Sequence, residues 1–307
     1  MELRHLRYVV AVAEEGHITR AAETLGIQQP PLSRQIKAIE REIGVQIFRR
    51  KPRGLELTDA GRTFVNGARS VFASLDSTID VTRRTARGEQ GRISLGSTNA
   101  AVLNPLVASI VRKFGHAWPL VSMTLVEDSS NNLIEQIRNN QIDVAFVRAP
   151  LVDPEQLALE LLQDEPQVVA LSAGHALARG RVNSASALSL NDLAGETFLV
   201  FGGPQGTFTM QGNALIAACM QLGFRPRVAP VTSNTMPRLG LVAAGIGVAV
   251  VPASVQRVGI EGVVYRRLKN ANKLTSPLNV VSRRNEASAV VRQFLKLAKQ
   301  TAKGFSP

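Results

Sequence analysis

Three features of the 307-residue sequence predict a chain in two parts, a small all-α module carrying a β-hairpin wing and a larger two-lobed α/β domain. Apolar residues repeat at helical spacing as far as Ile43 and are interrupted by Gly16, Gly26 and Gly44. A long helical pattern then runs from Asp59 to about Arg87. Beyond Gly88-Glu89-Gln90-Gly91, which reads as a hinge, strand-like and helix-like stretches alternate, the pattern of an open, largely parallel sheet. The expected division is 1–58 for the module, 59–88 for a linking helix and 91–307 for the α/β domain. Within the last, a first lobe is expected at about 91–163 and 266–307 and a second at about 164–265.

The formal net charge of +12 favours an anionic partner, nucleic acid or a membrane surface, although charge bears on association and not on fold. The single cysteine, Cys219, can form neither an intrachain disulfide nor a Cys-rich metal site, which fits a reducing cytoplasm. Its neighbours Ala217, Ala218 and Met220 are apolar, which favours core packing over redox sensing. Met1-Glu2-Leu3-Arg4-His5 passes quickly into helical spacing without a signal-peptide pattern, and no apolar run reaches membrane-spanning length, so no membrane partner is expected.

In the first helix Leu6, Val9, Val10 and Ala13 fall at i, i+3, i+4, i+7 and define one buried face. A second, short helix runs from about Thr19 to Leu25; its Ala21 and Ala22 allow a close neighbour, and Gly26 ends it. A third begins near Gln29, with Pro30 and Pro31 in the first turn, where a missing N–H costs nothing. Leu32, Ile36, Ile39 and Ile43 face inward; Gln29, Ser33, Arg34, Lys37 and Arg41 face outward. A helix, a short turn and a second helix are the geometry that places the latter in the major groove of duplex DNA. Arg and Lys can pair there with guanine or phosphate, Gln with adenine, and Ser with a base edge or a phosphate.

The alternative is a charged face that meets only solvent, and it weakens with the next segment. Arg49-Arg50-Lys51-Pro52-Arg53-Gly54, followed by the alternating Leu55-Glu56-Leu57, reads as a hairpin tipped with cations suited to phosphate or the minor groove. The candidate DNA contacts are Thr19, Arg20, Gln28, Gln29, Pro30, Pro31, Ser33, Arg34, Lys37 and Arg41 in the helices, and Arg50, Lys51 and Arg53 in the wing.

Thr58 reads as an N-cap, with Asp59 in the first turn of the long helix. Phe64, Ala68, Val71, Leu75, Thr78 and Thr82 then form a seam for a partner helix, weakening toward its end. Packing on its own domain is the alternative; the length of the helix favours dimerisation.

The run Ala21-Ala22, Leu25, Gln29-Pro30, Leu32-Ser33-Arg34-Gln35-Ile36, Ile39-Glu40, Ile43-Gly44-Val45, Phe48-Arg49-Arg50 and Leu57-Thr58-Asp59-Ala60-Gly61 resembles the LysR-type transcriptional regulators, densely over the first sixty or so residues and more loosely beyond. The resemblance implies a winged helix-turn-helix, a long dimerisation helix and an effector domain shaped like a periplasmic binding protein. It also implies a dimer or a dimer of dimers on promoter DNA, with RNA polymerase as a further partner. Met1-Glu2-Leu3-Arg4-His5-Leu6-Arg7-Tyr8 and Val251-Pro252-Ala253-Ser254-Val255 are most similar to activators of benzoate, muconate and chlorocatechol catabolism.

In the α/β part, strands are expected at Arg92–Leu95, Val121–Val126, Val144–Val147, Val168–Leu171, Thr197–Phe201 and Val248–Val251. Helices are expected through Leu106, Ile110 and Phe114, through Leu133 and Ile137, and at Ala214–Leu222, Met236–Ala244 and about Ala287 to Lys303. Val264–Leu268 and Leu278–Ser282 are expected to return to the first lobe. Two lobes crossed by two connections make a cleft, and ligands favour the carboxyl ends of parallel strands.

The candidate effector contacts sit at such ends: Ser97, Thr98 and Asn99; Ser129 and Ser130; Arg148, as a cation for an acid; and Gly203, Thr207 and Phe208 in a glycine-rich turn. Helix capping and an ordinary turn explain the same residue types equally well. By the resemblance, Thr98 and Ser130 align with hydroxyls that contact acid effectors, and Thr207 and Phe208 with a second-lobe contact region. Ser97-Thr98 stands where those relatives have Gly-Ser, and Asn99 where they have an apolar residue, so the site is expected to be more polar.

No phosphate loop, HExxH or paired CxxC motif is present, and His5, His17, His116 and His175 are scattered, so no catalytic residues, metal or cofactor are expected. The expected function is promoter binding controlled by a small, anionic effector. A solute-binding protein or an enzyme using the cleft are the rivals.

Overall fold

The computed structural model describes residues 1–52, 54–148, 156–178, 187–201, 208, 210–232, 234–269 and 274–305. The chain divides into two units, Met1–Arg84 and Thr85–Pro307.

The first unit comprises α1 (Leu3–Glu15), α2 (Ile18–Thr24), α3 (Gln29–Ile43), the hairpin β1 (Phe48–Lys51) and β2 (Gly54–Leu57), and most of α4 (Asp59–Arg87). Val9 and Val12 from α1, Ala21 and Ala22 from α2, and Leu32, Ile36 and Ile39 from α3 close on Ile47, Phe48 and Val65. Val12 takes the fully buried place that the sequence spacing gave to Val10 and Ala13, which are half-buried. Two contacts fix the wing to the helices. Glu40 on α3 accepts hydrogen bonds from the Ile47 and Phe48 N–H groups at 2.9 and 3.1 Å. Leu55 N–H donates to the Gly16 carbonyl at 2.8 Å, beside Gly54, where a Cβ would lie 2.5 Å from that same oxygen.

The Thr58 hydroxyl accepts from Gly61 N–H at 2.9 Å and so caps α4 as expected. Further along, Val71, Leu75 and Ile79 are exposed in an i, i+4, i+8 line. Thr78 and Thr82, at the weaker end of the expected seam, bond their hydroxyls to the Ser74 and Thr78 carbonyls at 2.8 Å. A hydroxyl that satisfies itself on its own helix leaves the apolar line to Ile79.

The second unit opens with β3 (Gln90–Ser97), α5 (Asn99–Val102), α6 (Pro105–Ala117), β4 (Leu120–Glu127), α7 (Ser130–Arg138) and β5 (Val144–Val147). It continues with β6 (Leu157–Ser172), β7 (Thr197–Phe201), α8 (Met210–Gln221), β8 (Arg227–Thr232), α9 (Thr235–Ala243) and β9 (Ala249–Pro252), and ends with β10 (Val263–Arg267), β11 (Thr275–Arg283) and α10 (Ala289–Lys303). The main sheet has the order β10-β6-β11-β5-β3-β4, with β9 also on β6. β3 is parallel to β4 and β5, while β11 runs antiparallel to β5 and β6, so the sheet is mixed.

One strand joins the two lobes. The Leu157–Pro166 half of β6 pairs with β11, and its Gln167–Ser172 half pairs with β9 and β10. The sequence pattern predicts only Val168–Leu171, because the first half, Leu157–Pro166, lacks alternation: an apolar cluster gives way to Gln163-Asp164-Glu165-Pro166. Val264–Leu268 was expected to return to the first lobe. Instead Val263–Arg267 pairs with Val168–Ser172, and Leu268 bridges to Leu188 in the second-lobe core, so the return comes with β11. β8 was not foreseen; it contains Pro230 and pairs only with β7, an edge placement that a strand proline tolerates. Cys219 is fully buried in α8, and burial pushes its thiol up to about 11, the state of a packing residue.

Where β6 and β11 cross between the lobes, Arg148 and Glu165 form an ion pair at 2.5 Å, both side chains 4% exposed. Arg148 also donates to the Ser276 carbonyl (3.0 Å) and hydroxyl (3.1 Å), and to the Ala100 carbonyl (3.3 Å). Glu165 accepts from Asn104 Nδ2 at 2.7 Å and from the Ser254 N–H. Burial pushes the Glu165 carboxyl up, but the Arg148 guanidinium and the Ser254 donors outweigh it and hold it below the ordinary carboxylate value.

Its folded value therefore lies below its unfolded one. The stabilisation is complete above the ordinary carboxylate range and is lost as pH falls through the depressed value. Glu165→Gln strands a buried guanidinium and should cost roughly 3–5 kcal/mol. Urea unfolding should show that gap at neutral pH and a smaller one as the pH drops below the carboxylate range; equal midpoints at neutral pH would remove the pair from the account.

Candidate nucleic-acid interface and ligand cleft

α3 buries Leu32, Ile36 and Ile39 and leaves Arg34, Lys37 and Arg41 exposed, with Gln28, Gln29 and Pro30 exposed at its N-terminus. Pro31 and Ser33 are half-buried, and Thr19 and Arg20 are exposed on α2. Arg20 folds back onto the Glu15 carbonyl, with its Nε 3.5 Å from the Glu15 carboxylate, so part of its hydrogen-bonding capacity is already used. Arg41 donates to the Lys37 carbonyl at 3.2 Å. Three further residues of α3 are exposed, Gln35, Ala38 and Glu42, the last paired with the Met1 amine at 2.9 Å. Ala38 lies four residues from Arg34 and three from Arg41, on one helix face, where a small side chain permits close approach and can meet a thymine methyl. That spacing is legible in the sequence.

The hairpin distributes its cations unevenly. Arg49 and Lys51 each reach Glu56 Oε2 at 2.7 Å. Hydrogen bonds from Lys51 and Arg49 hold the Glu56 carboxyl down at about 2. Arg50 pairs across the ladder with Leu55. Among the described residues Arg34, Lys37 and Arg50 make no ion pair, which leaves them able to meet phosphate or a base edge. Arg53 lies outside the described residues.

In the second unit the nominated hydroxyls are occupied locally. Ser97 is buried and donates to the Thr98 carbonyl at 3.1 Å. Thr98 and Ser129 cap α5 and α7, accepting from Ala101 and Asn132 N–H at 3.3 Å each. Ser130 is half-buried as the first residue of α7. Asn99 joins the lobes: its amide donates to Asn234 and accepts from the Thr235 hydroxyl, both at 2.8 Å. Arg148, nominated to neutralise an acid, has Glu165 for its counter-charge, because an unpaired carboxylate at that depth would be too costly. Phe208 is half-buried against the second-lobe core, and Gly203 and Thr207 lie outside the described residues.

A small cavity, open to solvent, lies in the second lobe and reaches Ser276 beside the Arg148–Glu165 pair. Its walls are Gln167, Val200, Phe201, Gly212, Leu215, Arg238, Val250, Pro252 and Ser276, none of them nominated from sequence. The walls combine apolar side chains with a few polar groups, the mixture that small-molecule sites use. Arg238 was legible in principle: Thr235, Arg238, Leu239 and Val242 form the buried face of α9, an unusual place for an arginine. Among the described residues no cluster of His, Cys, Asp and Glu could hold a metal, and no helix is long and apolar enough to cross a membrane.

Two family models match the chain. The bacterial regulatory helix-turn-helix protein, lysR family, covers residues 3–62, and the LysR substrate binding domain covers residues 86–303. The HTH-type transcriptional regulator BudR of Raoultella terrigena is 35% identical over 97% of this chain and 100% of its own length. Full-length CbnR complexed with its target DNA superposes with a TM-score of 0.84 at 26% identity, covering 98% of this chain and 100% of that one. The BenM effector binding domain, solved with its effector benzoate, gives a TM-score of 0.59 at 25% identity over 71% of this chain and 95% of that one.

Arg34→Ala should weaken binding to a specific site by roughly 1–3 kcal/mol and relax base preference at one position. Arg50→Ala should weaken binding to all duplexes alike and reduce the slope of affinity against salt by about one phosphate contact. Fluorescence anisotropy across a salt series separates the two; identical salt slopes and unchanged affinity for both variants would exclude α3 and the wing as the contact surface.

Proposed function

The chain belongs to the LysR family of bacterial transcriptional regulators, and from that premise we propose that it activates transcription when a small, anionic molecule enters the cleft of its second unit. It is a DNA-binding regulator with an effector-binding domain, related over its whole length to proteins named as regulators rather than enzymes. The observation that carries the reading is the pairing, in one chain, of an exposed cationic face on α3 with a solvent-open cavity in the second unit.

The proposed division of labour is 1–58 for DNA contact, 59–88 for dimerisation and 91–307 for effector sensing. The DNA surface comprises Gln28, Gln29, Ser33, Arg34, Lys37 and Arg41, with Arg50 on phosphate and Lys51 joining it by exchanging Glu56 for phosphate. Thr98, Asn99, Ser129, Ser130, Thr207 and Phe208 remain proposed cleft contacts. The exposed line Val71, Leu75 and Ile79 supports self-association through α4 as a dimer or a dimer of dimers. The chain then acts in the cytoplasm on promoter DNA and engages RNA polymerase there. An effector changes the DNA footprint only by favouring one subunit arrangement over another. Benzoate, the effector of BenM, is a reasonable first probe.

The test is a mobility shift and footprint with the full-length protein and DNA from upstream of its own gene. Specific affinity should exceed that for a scrambled duplex by roughly a thousandfold or more. Small carboxylates should change the protected length or the transcription it supports. Equal affinity for both duplexes would overturn the regulator reading. An unchanged footprint and unchanged transcription across a broad carboxylate panel would overturn its control by an anion.

A further inference from the structure

We infer that Arg238 is the anion-recognising residue of the second-lobe cavity, and that the effector is a small carboxylate with an apolar body whose charged end completes the hydrogen bonding of that guanidinium. The inference rests on the reading of the second unit as an effector sensor and assigns the ligand chemistry of that site.

Two buried guanidinium groups in this unit differ in their charge partner, although the Nε of each lacks a hydrogen bond among the described residues. Arg148 has a carboxylate at 2.5 Å and hydroxyl and carbonyl acceptors around it. Arg238 is 3% exposed, yet its Nε and Nη2 have no hydrogen-bond partner among the described residues. Its observed compensation is the ring of Phe201, whose centroid lies 3.7 Å from the guanidinium carbon. A cation over a ring contributes far less than removing a charge from water costs. Burial lowers the guanidinium to about 9, which leaves it charged at neutral pH and raises what an anion would contribute.

The surroundings select the ligand. Arg238 lines the cavity together with Gln167 and Ser276, which are polar, and with Val200, Leu215, Val250 and Pro252, which are apolar. A planar carboxylate matches the guanidinium fork, and the aliphatic walls suit a compact hydrocarbon body. Phe201 holds the fork in one plane before the ligand arrives, so little side-chain freedom remains to be lost on binding. Arg238 is also one turn beyond Thr235, whose hydroxyl bonds to Asn99 across the lobes at 2.8 Å. A ligand held by Arg238 therefore acts on the same helix that touches the first lobe.

The test is calorimetric titration of the full-length protein with benzoate, acetate, succinate and neutral benzamide, without DNA. Wild type should bind at least one carboxylate and prefer benzoate over benzamide. Arg238→Met, with folding checked by circular dichroism, should lower carboxylate affinity about tenfold or more and leave benzamide binding unaltered. Arg238→Lys keeps the charge and loses the planar fork; it should fold if the Met variant does not, and should weaken carboxylates several-fold.

Unchanged carboxylate affinity in either variant would overturn the inference. So would a wild-type protein that binds none of the three carboxylates. Neither outcome touches the regulator reading, which fails only if specific DNA binding is absent.

Discussion

A guanidinium and a carboxylate, shut away from water where β6 and β11 cross, hold the second unit together. Arg148 leaves the end of β5, Glu165 sits within β6, and their remaining partners come from α5, the start of α6, the segment after β9, and β11. Those elements belong to both lobes. Such a pair gains little over a well-packed apolar substitute, yet removing one member exposes the other to the full cost of an uncompensated buried charge. The pair thus constrains geometry more than it adds stability. It fixes where β6 leaves one half-sheet and enters the other, and so where the second-lobe cavity meets Ser276 beside the pair.

The first unit solves a different problem, which is how to present a cationic helix without letting it drift. Glu40 ties α3 to the strand entry, the Gly16 carbonyl ties the hairpin to the α1–α2 turn, and glycine at 61 allows α4 to start against the Ile47 carbonyl, where a Cβ would lie 2.1 Å away. Anchored from behind by Leu32, Ile36 and Ile39, the helix holds its outward side chains in a fixed register. Of the cations, those with no internal partner can form new ion pairs at least cost. The pairing of Arg49 and Lys51 with Glu56 instead stiffens the hairpin and leaves Arg50 on the other side of the ladder.

Much of this was legible from sequence where one local rule decides the outcome. Periodicity and glycine stops placed the end of α1 at Gly16 and both ends of α2 and α3 to within a residue or two, and capping chemistry placed the start of α4 at Thr58. What escaped was decided by distant contacts. β6 looked short because half of it, Leu157–Pro166, shows no alternating burial, shifts register against β11 and ends in Gln163-Asp164-Glu165-Pro166. β10 went to the second lobe because its partner is Val168–Ser172, a pairing that no local pattern encodes. Thr98 and Ser129 cap α5 and α7, and because caps and ligand contacts share residue types the sequence left both roles open. The cavity was missed because its walls come from six separated stretches of chain, and its arginine was hidden by the habit of treating the inner face of a helix as apolar.

The proposed regulation makes a demand that needs no further structural detail. If a carboxylate in the cleft alters the grip on promoter DNA, DNA must alter the grip on the carboxylate by the same factor. The direct measurement is the dissociation constant of the tightest-binding carboxylate for the full-length protein, free and saturated with promoter duplex, beside the promoter dissociation constant with and without that carboxylate. The account predicts two ratios that differ from one and equal each other. A carboxylate affinity that is the same with and without promoter DNA would contradict it.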